Sequence, residues 1–230
     1  MRSDQLDRRT QPALPARLNA VPEQANVIVV DDDEAMREAL SELILSAGFQ
    51  PVTLGSIREL LETDLLQRPG CLILDVRMPG ASGLDLQEYL ARSGNPKPII
   101  FLTGHGDIPM TVQAMKAGAV DFLTKPVRDQ VLLDAVNAAL ARDAQQQSEA
   151  ELVAQNLERF QTLTPREREV MHEVARGRLN KQIAFDLGIS EVTVKLHRSN
   201  VMRKMQAMSI GELIRMWETL PEPLRRASSA

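Results

Sequence analysis

The period of apolar residues changes twice along this 230-residue chain, dividing it into three regions. Residues 1–25 show no apolar period and carry Pro12, Pro15 and Pro22 among polar side chains, which predicts a flexible tail. From Val27 onward, apolar runs of strand length alternate with segments whose apolar residues recur every three or four positions. That alternation is expected of an α/β fold, a doubly wound parallel sheet with crossover helices on both faces. It predicts strands at Val27–Val30, Gln50–Leu54, Cys71–Leu74, Pro98–Leu102 and Val120–Leu123. Helices are predicted at Glu34–Ala47, Ser56–Leu65, Leu84–Arg92 and Pro109–Ala117, the first stopped by Gly48, where a left-handed cap costs little.

After Lys125-Pro126 a long helical pattern runs from Arg128 toward Phe160, alanine-rich at first and strongly polar from Gln145 to Gln147. It reads as the last helix of the first domain extended into a linker. A second domain opens at Leu163-Thr164-Pro165-Arg166-Glu167, where Thr164 can cap a helix, Pro165 takes the first helical position and Glu167 can close a capping box. Four short helices are predicted there, at 165–176, 180–187, 191–205 and 209–218. The expected organisation is therefore a tail (1–25), a five-stranded α/β domain (26–142), a helical linker (143–161) and an all-α four-helix domain (162–227).

Composition narrows the classes. At 43% hydrophobic the chain can bury two modest cores. The single cysteine, Cys71, excludes an intramolecular disulfide and a cysteine zinc cluster, and suits a reducing cytoplasm. Lying in an apolar strand, it reads as core, and the ten methionines read as packing. Charges at Asp4, Asp7, Arg8 and Arg9, with no long apolar run, predict neither signal peptide nor membrane span, hence a soluble cytoplasmic protein with no membrane partner. Of the 27 basic residues, twelve lie from Leu163 onward, against eight of the 31 acidic ones, about +4 there and −8 before it. A basic C-terminal part suggests a polyanion partner, although ordinary surfaces also carry surpluses this small.

In a doubly wound sheet, function gathers outside the carboxyl ends of the strands. Asp31 and Asp32 end the first predicted strand, Asp75 the third, Thr103 the fourth and Lys125 the fifth. Close carboxylates repel, and binding a divalent cation relieves them; hard oxygen ligands suit Mg²⁺. Such an ion would screen Asp75 as it attacked phosphorus, with Lys125 and the Thr103 hydroxyl on the phosphoryl oxygens. Each residue alone has a plainer reading: a helix-capping acidic pair, a turn aspartate, a surface lysine, a turn threonine. Their coincidence at four strand ends favours the chemical reading. His105, in the following loop, reads as surface.

In the second domain, Asn180–Met205 reads helix, tight turn at Gly188, helix, with Ser190 as cap. Val194, His197, Val201 and Met205 share one face and should pack inward, His197 as a satisfied core histidine. Lys195, Arg198, Ser199 and Met202 should then face out, a surface able to enter a major groove. Lys181, Arg203 and Lys204 suit backbone phosphates. A small helical bundle with a solvated basic face remains the plain alternative.

These residues carry a resemblance. Val29-Val30-Asp31-Asp32-Asp33, Leu74-Asp75-Val76-Arg77-Met78-Pro79-Gly80, Leu102-Thr103-Gly104-His105-Gly106 and Lys125-Pro126 resemble the receiver domain of FixJ-type two-component response regulators, and the stretch from Gly106 to Leu123 is similar also to the StyR/TodT regulators. Thr164-Pro165-Arg166-Glu167-Arg168-Glu169-Val170, Asn180-Lys181-Gln182-Ile183-Ala184 and Thr193-Val194-Lys195-Leu196-His197 resemble the LuxR/NarL-type helix-turn-helix domain. The resemblance implies a flavodoxin-like strand order 2-1-3-4-5. It implies Asp75 as phosphoryl acceptor, Asp32 and Asp75 as direct Mg²⁺ ligands with the Arg77 backbone carbonyl, and Asp31 acting through water. It further implies Thr103 and Lys125 as phosphoryl-binding residues and Phe122 as the aromatic switch. On the DNA side it implies Lys195, Leu196 and Ser199 near the bases, with Thr193 also among the DNA-binding residues. A sensor histidine kinase, promoter DNA, a second copy on phosphorylation and RNA polymerase are the partners it implies, with activation of transcription as output. The rival is an aspartyl-phosphate phosphatase, but the haloacid-dehalogenase type needs a second acid two residues after its nucleophile, and position 77 is Arg. A phosphate-independent interaction module is a third reading.

Overall fold

The computed structural model describes residues 25–80, 82–94, 96–104 and 107–226. Of the predicted tail only Ala25 lies among them, and His105 lies outside. The chain divides into two compact units between Ala144 and Gln145.

The first unit is a five-stranded parallel sheet of β1 (Asn26–Val30), β2 (Gln50–Leu54), β3 (Gly70–Leu74), β4 (Ile99–Thr103) and β5 (Asp121–Thr124), in the order β2-β1-β3-β4-β5. Helices α1 (Glu34–Ser46), α2 (Ile57–Leu61), α3 (Gly83–Arg92) and α4 (Ile108–Lys116) connect the strands, and α5 (Asp129–Gln161) follows the last. Because side chains alternate along a strand, the two sheet faces feed two cores. Val27, Val29, Cys71, Ile73, Ile100 and Leu102 pack with Leu40 and Ile44 of α1 and Leu132, Val136 and Leu140 of α5. Ile28, Val30, Leu72, Leu74, Ile99 and Phe101 pack with Leu60 of α2 and Leu86 and Leu90 of α3. Central strands buried on both faces read as unbroken apolar runs, which is why the sequence showed them clearly.

The ends of elements differ from expectation for local reasons. The helix expected over 56–65 stops at Leu61, and a 3₁₀ turn covers Leu65–Gln67. Thr63 causes the break: its hydroxyl donates to the Leu60 carbonyl (2.8 Å) and accepts from Leu65 N (3.3 Å), competing with helical bonding. The fourth strand begins at Ile99 because Pro98 has no N–H, although its carbonyl accepts from Leu72 N.

Lys97 and Asp143 form a buried ion pair in the first unit. Lys97 Nζ sits 3.5 Å from Asp143 Oδ1, their side chains 3% and 10% exposed. Asp143 Oδ2 accepts from Gly70 N at 2.8 Å, and Lys97 also donates to the Arg68 carbonyl. Gly70 is obligatory there, since a Cβ would stand 2.0 Å from the Asn26 carbonyl oxygen and φ is +142°. Burial lowers the Lys97 pKa and Asp143 only partly offsets it, while burial raises the neighbouring Cys71 thiol to about 12. Cys71 is thus an inert core residue, as expected.

The second unit holds α6 (Pro165–Ala175), α7 (Asn180–Leu187), α8 (Glu191–Met205), α9 (Ile210–Thr219) and a short α10 (Glu222–Arg226). The last of these is a fifth helix beyond the four expected; Pro221 and Pro223 hid it, although Pro is well tolerated in a first helical turn. Phe160, Leu163, Val170, Met171, Ile183, Val194, Val201, Met205, Leu213 and Trp217 form the core. Phe160 and Trp217 meet edge-on at 6.0 Å, and Asn156 Nδ2 donates to Thr219 Oγ1 at 3.0 Å. The last turns of α5, expected as linker, thus pack into this unit's core. No helix among the described residues is long and apolar enough to cross a membrane.

Candidate functional site

The carboxyl ends of β1, β3 and β5 bring the acids and the lysine together. Asp31 leaves β1 with its backbone N–H on the Leu54 carbonyl, and Asp75 leaves β3 with its own on Val30 (3.0 Å), so the sheet ladder fixes both. Asp31 is 2% exposed; its Oδ1 accepts from Asp33 N (3.0 Å), and its carbonyl accepts from Arg37 (2.7 Å). Asp75 Oδ1 accepts from Arg77 N at 3.1 Å, and the Arg77 side chain lies in solvent. Asp32 is exposed. One oxygen from each of Asp31, Asp32 and Asp75 lies within 4.8 Å of the others, an all-oxygen donor set that fits a hard divalent cation.

Lys125 closes the site. Its backbone N–H donates to the Thr103 carbonyl (2.9 Å), and the Lys125-Pro126 peptide is cis. Its ammonium bridges Asp31 Oδ2 (2.6 Å) and Asp75 Oδ2 (2.9 Å), with the side chain 16% exposed. Burial works to lower the Lys125 pKa, but the hydrogen bonds and charges of Asp31 and Asp75 outweigh it, and the net shift is upward. Lys125 therefore stays cationic at neutral pH. Thr103 ends β4 fully buried, and half-buried Phe122 of β5 rests on Phe101 at 5.9 Å between ring centroids.

Sequence reasoning passed over Gly83, the first residue of α3. A Cβ there would lie 2.6 Å from the Asp75 carbonyl oxygen and 3.1 Å from the Leu74 side chain, so only glycine lets α3 approach the site backbone. Its one signal was a glycine where a helix start favours better helix formers. Gly83→Ala is expected to cost about 1–3 kcal/mol in urea unfolding, because the helix must back away. Unchanged unfolding midpoints would show that the backbone yields freely.

In the second unit, Gly188 takes the left-handed cap of α7 (φ +64°) and Ser190 Oγ accepts from Thr193 N at 3.1 Å, the expected helix-turn-helix punctuation. Val194, Val201 and Met205 are buried as expected. Three details differ. Met202, expected outside, packs against the core. Arg198 is half-buried and donates to Asn180 Oδ1 of α7 at 2.7 Å. His197 is half-buried, but its Nδ1 has no hydrogen-bond partner among the described residues, so it is not the satisfied core histidine expected. The face of α8 turned inward is wider than the stripe read from the sequence, taking in Met202 and Arg198 at its flanks. Lys195, Ser199 and Arg203 remain exposed on α8, as does Lys181 on α7. Leu196 is 60% exposed, an apolar side chain presented to solvent on a cationic surface. Thr193 Oγ1 pairs with Ser190 Oγ at 2.8 Å, and Lys204 turns inward onto Glu167 at 2.6 Å.

Residues 27–137 match the response regulator receiver domain family, and residues 161–217 match the luxR family of bacterial regulatory proteins. The chain is 55% identical over 197 residues to nodulation protein W of Bradyrhizobium diazoefficiens, covering 86% of this chain and 87% of that one. It is 50% identical over 208 residues to the response regulator TodT of Pseudomonas putida, covering 90% and 92%. Among solved structures, the response regulator StyR superposes with a TM-score of 0.73 at 47% identity, covering 85% of this chain and 98% of that one. Full-length FixJ from B. japonicum gives 0.51 at 39% identity, covering 85% and 97%. The protein belongs to the two-component response regulators that join a receiver domain to a LuxR-type DNA-binding domain to regulate transcription.

Proposed function

We propose that Asp75 accepts a phosphoryl group from a cognate histidine kinase and that this controls sequence-specific DNA binding by α7 and α8. The observation that carries the reading is the cluster of three carboxylates from two strand ends, two of which, Asp31 and Asp75, share the ammonium of Lys125 from a third. An Asp75 oxygen attacks phosphorus, the kinase histidine leaves as its P–N bond breaks, and an acyl phosphate forms. Asp31, Asp32 and Asp75, with the Arg77 carbonyl, would hold Mg²⁺, which when bound supplies charge that screens the carboxylates and the phosphoryl oxygens. Lys125 is cationic and already 2.9 Å from the nucleophile, so it needs little movement to pair with a phosphoryl oxygen. The Thr103 hydroxyl, at the end of the neighbouring strand, donates to another. Added phosphate charge then draws Thr103 and Lys125 together, Phe122 repacks, and this face pairs with that of a second copy.

Two paired helix-turn-helix domains then occupy half-sites about 34 Å apart, one helical turn. Lys195, Leu196 and Ser199 read bases, Thr193 and Arg198 support them at the groove edge, and Lys181 and Arg203 hold phosphates. Activation through RNA polymerase, in the cytoplasm, is the output in keeping with the family resemblance. The deciding experiment is titration with a small phosphodonor, with and without Mg²⁺, following both covalent phosphate and DNA affinity. Incorporation that leaves DNA affinity unmoved would leave only the interaction-module reading. Within this scheme Lys195→Ala is expected to weaken binding to a selected duplex by about 1–3 kcal/mol and to relax specificity at one base pair. An unchanged footprint and affinity would remove Lys195 from base reading.

A further inference from the structure

We propose that Lys204 is a positioning residue for the DNA-reading helix rather than a contact to nucleic acid, pinning the C-terminal end of α8 to the start of α6 and to the end of α5. The proposal rests on the reading of α8 as the DNA-reading helix. By its place in the sequence, Lys204 looks like its neighbour Arg203, a cation in the last turn of a basic helix. The two differ in where they point. Arg203 is exposed, whereas the Lys204 ammonium lies 2.6 Å from Glu167 Oε2 and 3.2 Å from the Thr162 carbonyl, its side chain 23% exposed and that of Glu167 only 5%.

Glu167 is itself fixed before Lys204 reaches it. Its Oε2 accepts from Thr164 N at 2.9 Å while its own N–H donates to Thr164 Oγ1, the two halves of the α6 capping box. Thr162 follows directly on the last residue of α5. One ammonium therefore joins three elements that share the unit's core: the end of α5, the first turn of α6 and the last turn of α8. Burial works to raise the Glu167 pKa, yet the Lys204 and Thr164 hydrogen bonds outweigh it and hold the carboxyl below its ordinary range, so the pair is intact at neutral pH. A nearly buried carboxylate would be costly if its cation left for a phosphate.

Geometry makes the clamp matter for reading bases. Lys195 and Lys204 are nine residues apart, about 13.5 Å along a helix. A tilt of about 5° at the clamped end moves Lys195 by about 1 Å, enough to break a bidentate contact to a base edge. Phosphate contacts made by flexible side chains tolerate such a shift.

The test uses full-length protein phosphorylated with acetyl phosphate and two probes: a duplex enriched from a random pool by the wild type, and a random-sequence duplex. Glu167→Gln keeps an oxygen for the capping box but removes the charge that holds Lys204. Removing an acid should strengthen a purely electrostatic DNA interaction, yet the expected result is about a tenfold or greater loss on the enriched duplex. Affinity for the random duplex should be unchanged or higher. Lys204→Gln should lose discrimination to the same extent with the salt slope on random duplex unchanged, whereas Arg203→Gln should reduce that slope by about 1. Lys204→Glu should be worse than either, whereas Lys204→Arg, which keeps a cation and donors for both Glu167 and the Thr162 carbonyl, should keep discrimination; Glu167→Gln settles the matter if Lys204→Gln folds poorly. A slope reduced by Lys204→Gln as by Arg203→Gln, or discrimination unchanged in Glu167→Gln, overturns the proposal. A wild-type chain that enriches no sequence overturns the DNA-reading assignment beneath it, and does so before any variant is made.

Discussion

Asp75→Asn is expected to abolish phosphate incorporation altogether. The amide is uncharged and a poor nucleophile, and no other carboxylate replaces it: Asp31 is 2% exposed with both oxygens bonded, to Asp33 N and to Lys125, and Asp32 lacks the lysine bridge. Lys125 keeps its 2.6 Å bond to Asp31 in the variant, so the fold should survive and the loss can be assigned to chemistry. Phosphate-affinity electrophoresis after exposure to acetyl phosphate and Mg²⁺ should show one band where the wild type shows two. Light scattering should show a monomer under both conditions, and DNA affinity should no longer respond to the phosphodonor. A variant that dimerises and activates transcription as the wild type does would contradict both the acceptor assignment and the switch built on it.

What the sequence revealed about this site follows from how chain order maps onto a parallel sheet. Each strand delivers its carboxyl-terminal residue to the same rim, so Asp31, Asp75, Thr103 and Lys125 could be brought together on paper from strand boundaries alone. The structure bears out the strand order and the two-part architecture, and it brings Asp31, Asp75 and Lys125 within hydrogen-bonding distance, with Thr103 at the end of the neighbouring strand. Hidden from the sequence were contacts that depend on approach distance or on side-chain direction. Gly83 carries no periodic signal, because its role is the absence of a Cβ against the Asp75 carbonyl. Lys204 and Arg203 are adjacent cations with equal claims in sequence; only the direction in which each projects from α8 separates the one on Glu167 from the one in solvent. Met202 and Arg198 lie on the flanks of the buried face, where the apolar period alone does not separate surface from core.

The second large effect concerns a pair that sequence reasoning could not see. Lys97 stands between Pro96 and Pro98, just before the predicted fourth strand, and Asp143 opens the helical stretch that reads as linker. They meet across 46 residues in the interior of the first unit. Asp143→Ala is expected to cost about 3–5 kcal/mol in urea unfolding. It strands the Lys97 ammonium without its carboxylate and deprives buried Gly70 N of its acceptor. Lys97→Met should cost less, because Asp143 keeps the Gly70 bond. Lys97→Met with Asp143→Asn should recover much of the loss, the amide oxygen still accepting from Gly70 N. pH offers a separate check on the cause. The Lys97 pKa in the folded protein already lies below the ordinary 10.5, so between its folded value and 10.5 the unfolded chain binds more protons, and this residue's contribution to stability rises with pH. Removing Asp143 deletes an influence that holds that pKa up, so the window widens and the variant's deficit should shrink as the solution is made alkaline. Should the deficit stay constant from neutral pH to pH 10, its source would be the lost Gly70 acceptor alone and not the stranded charge.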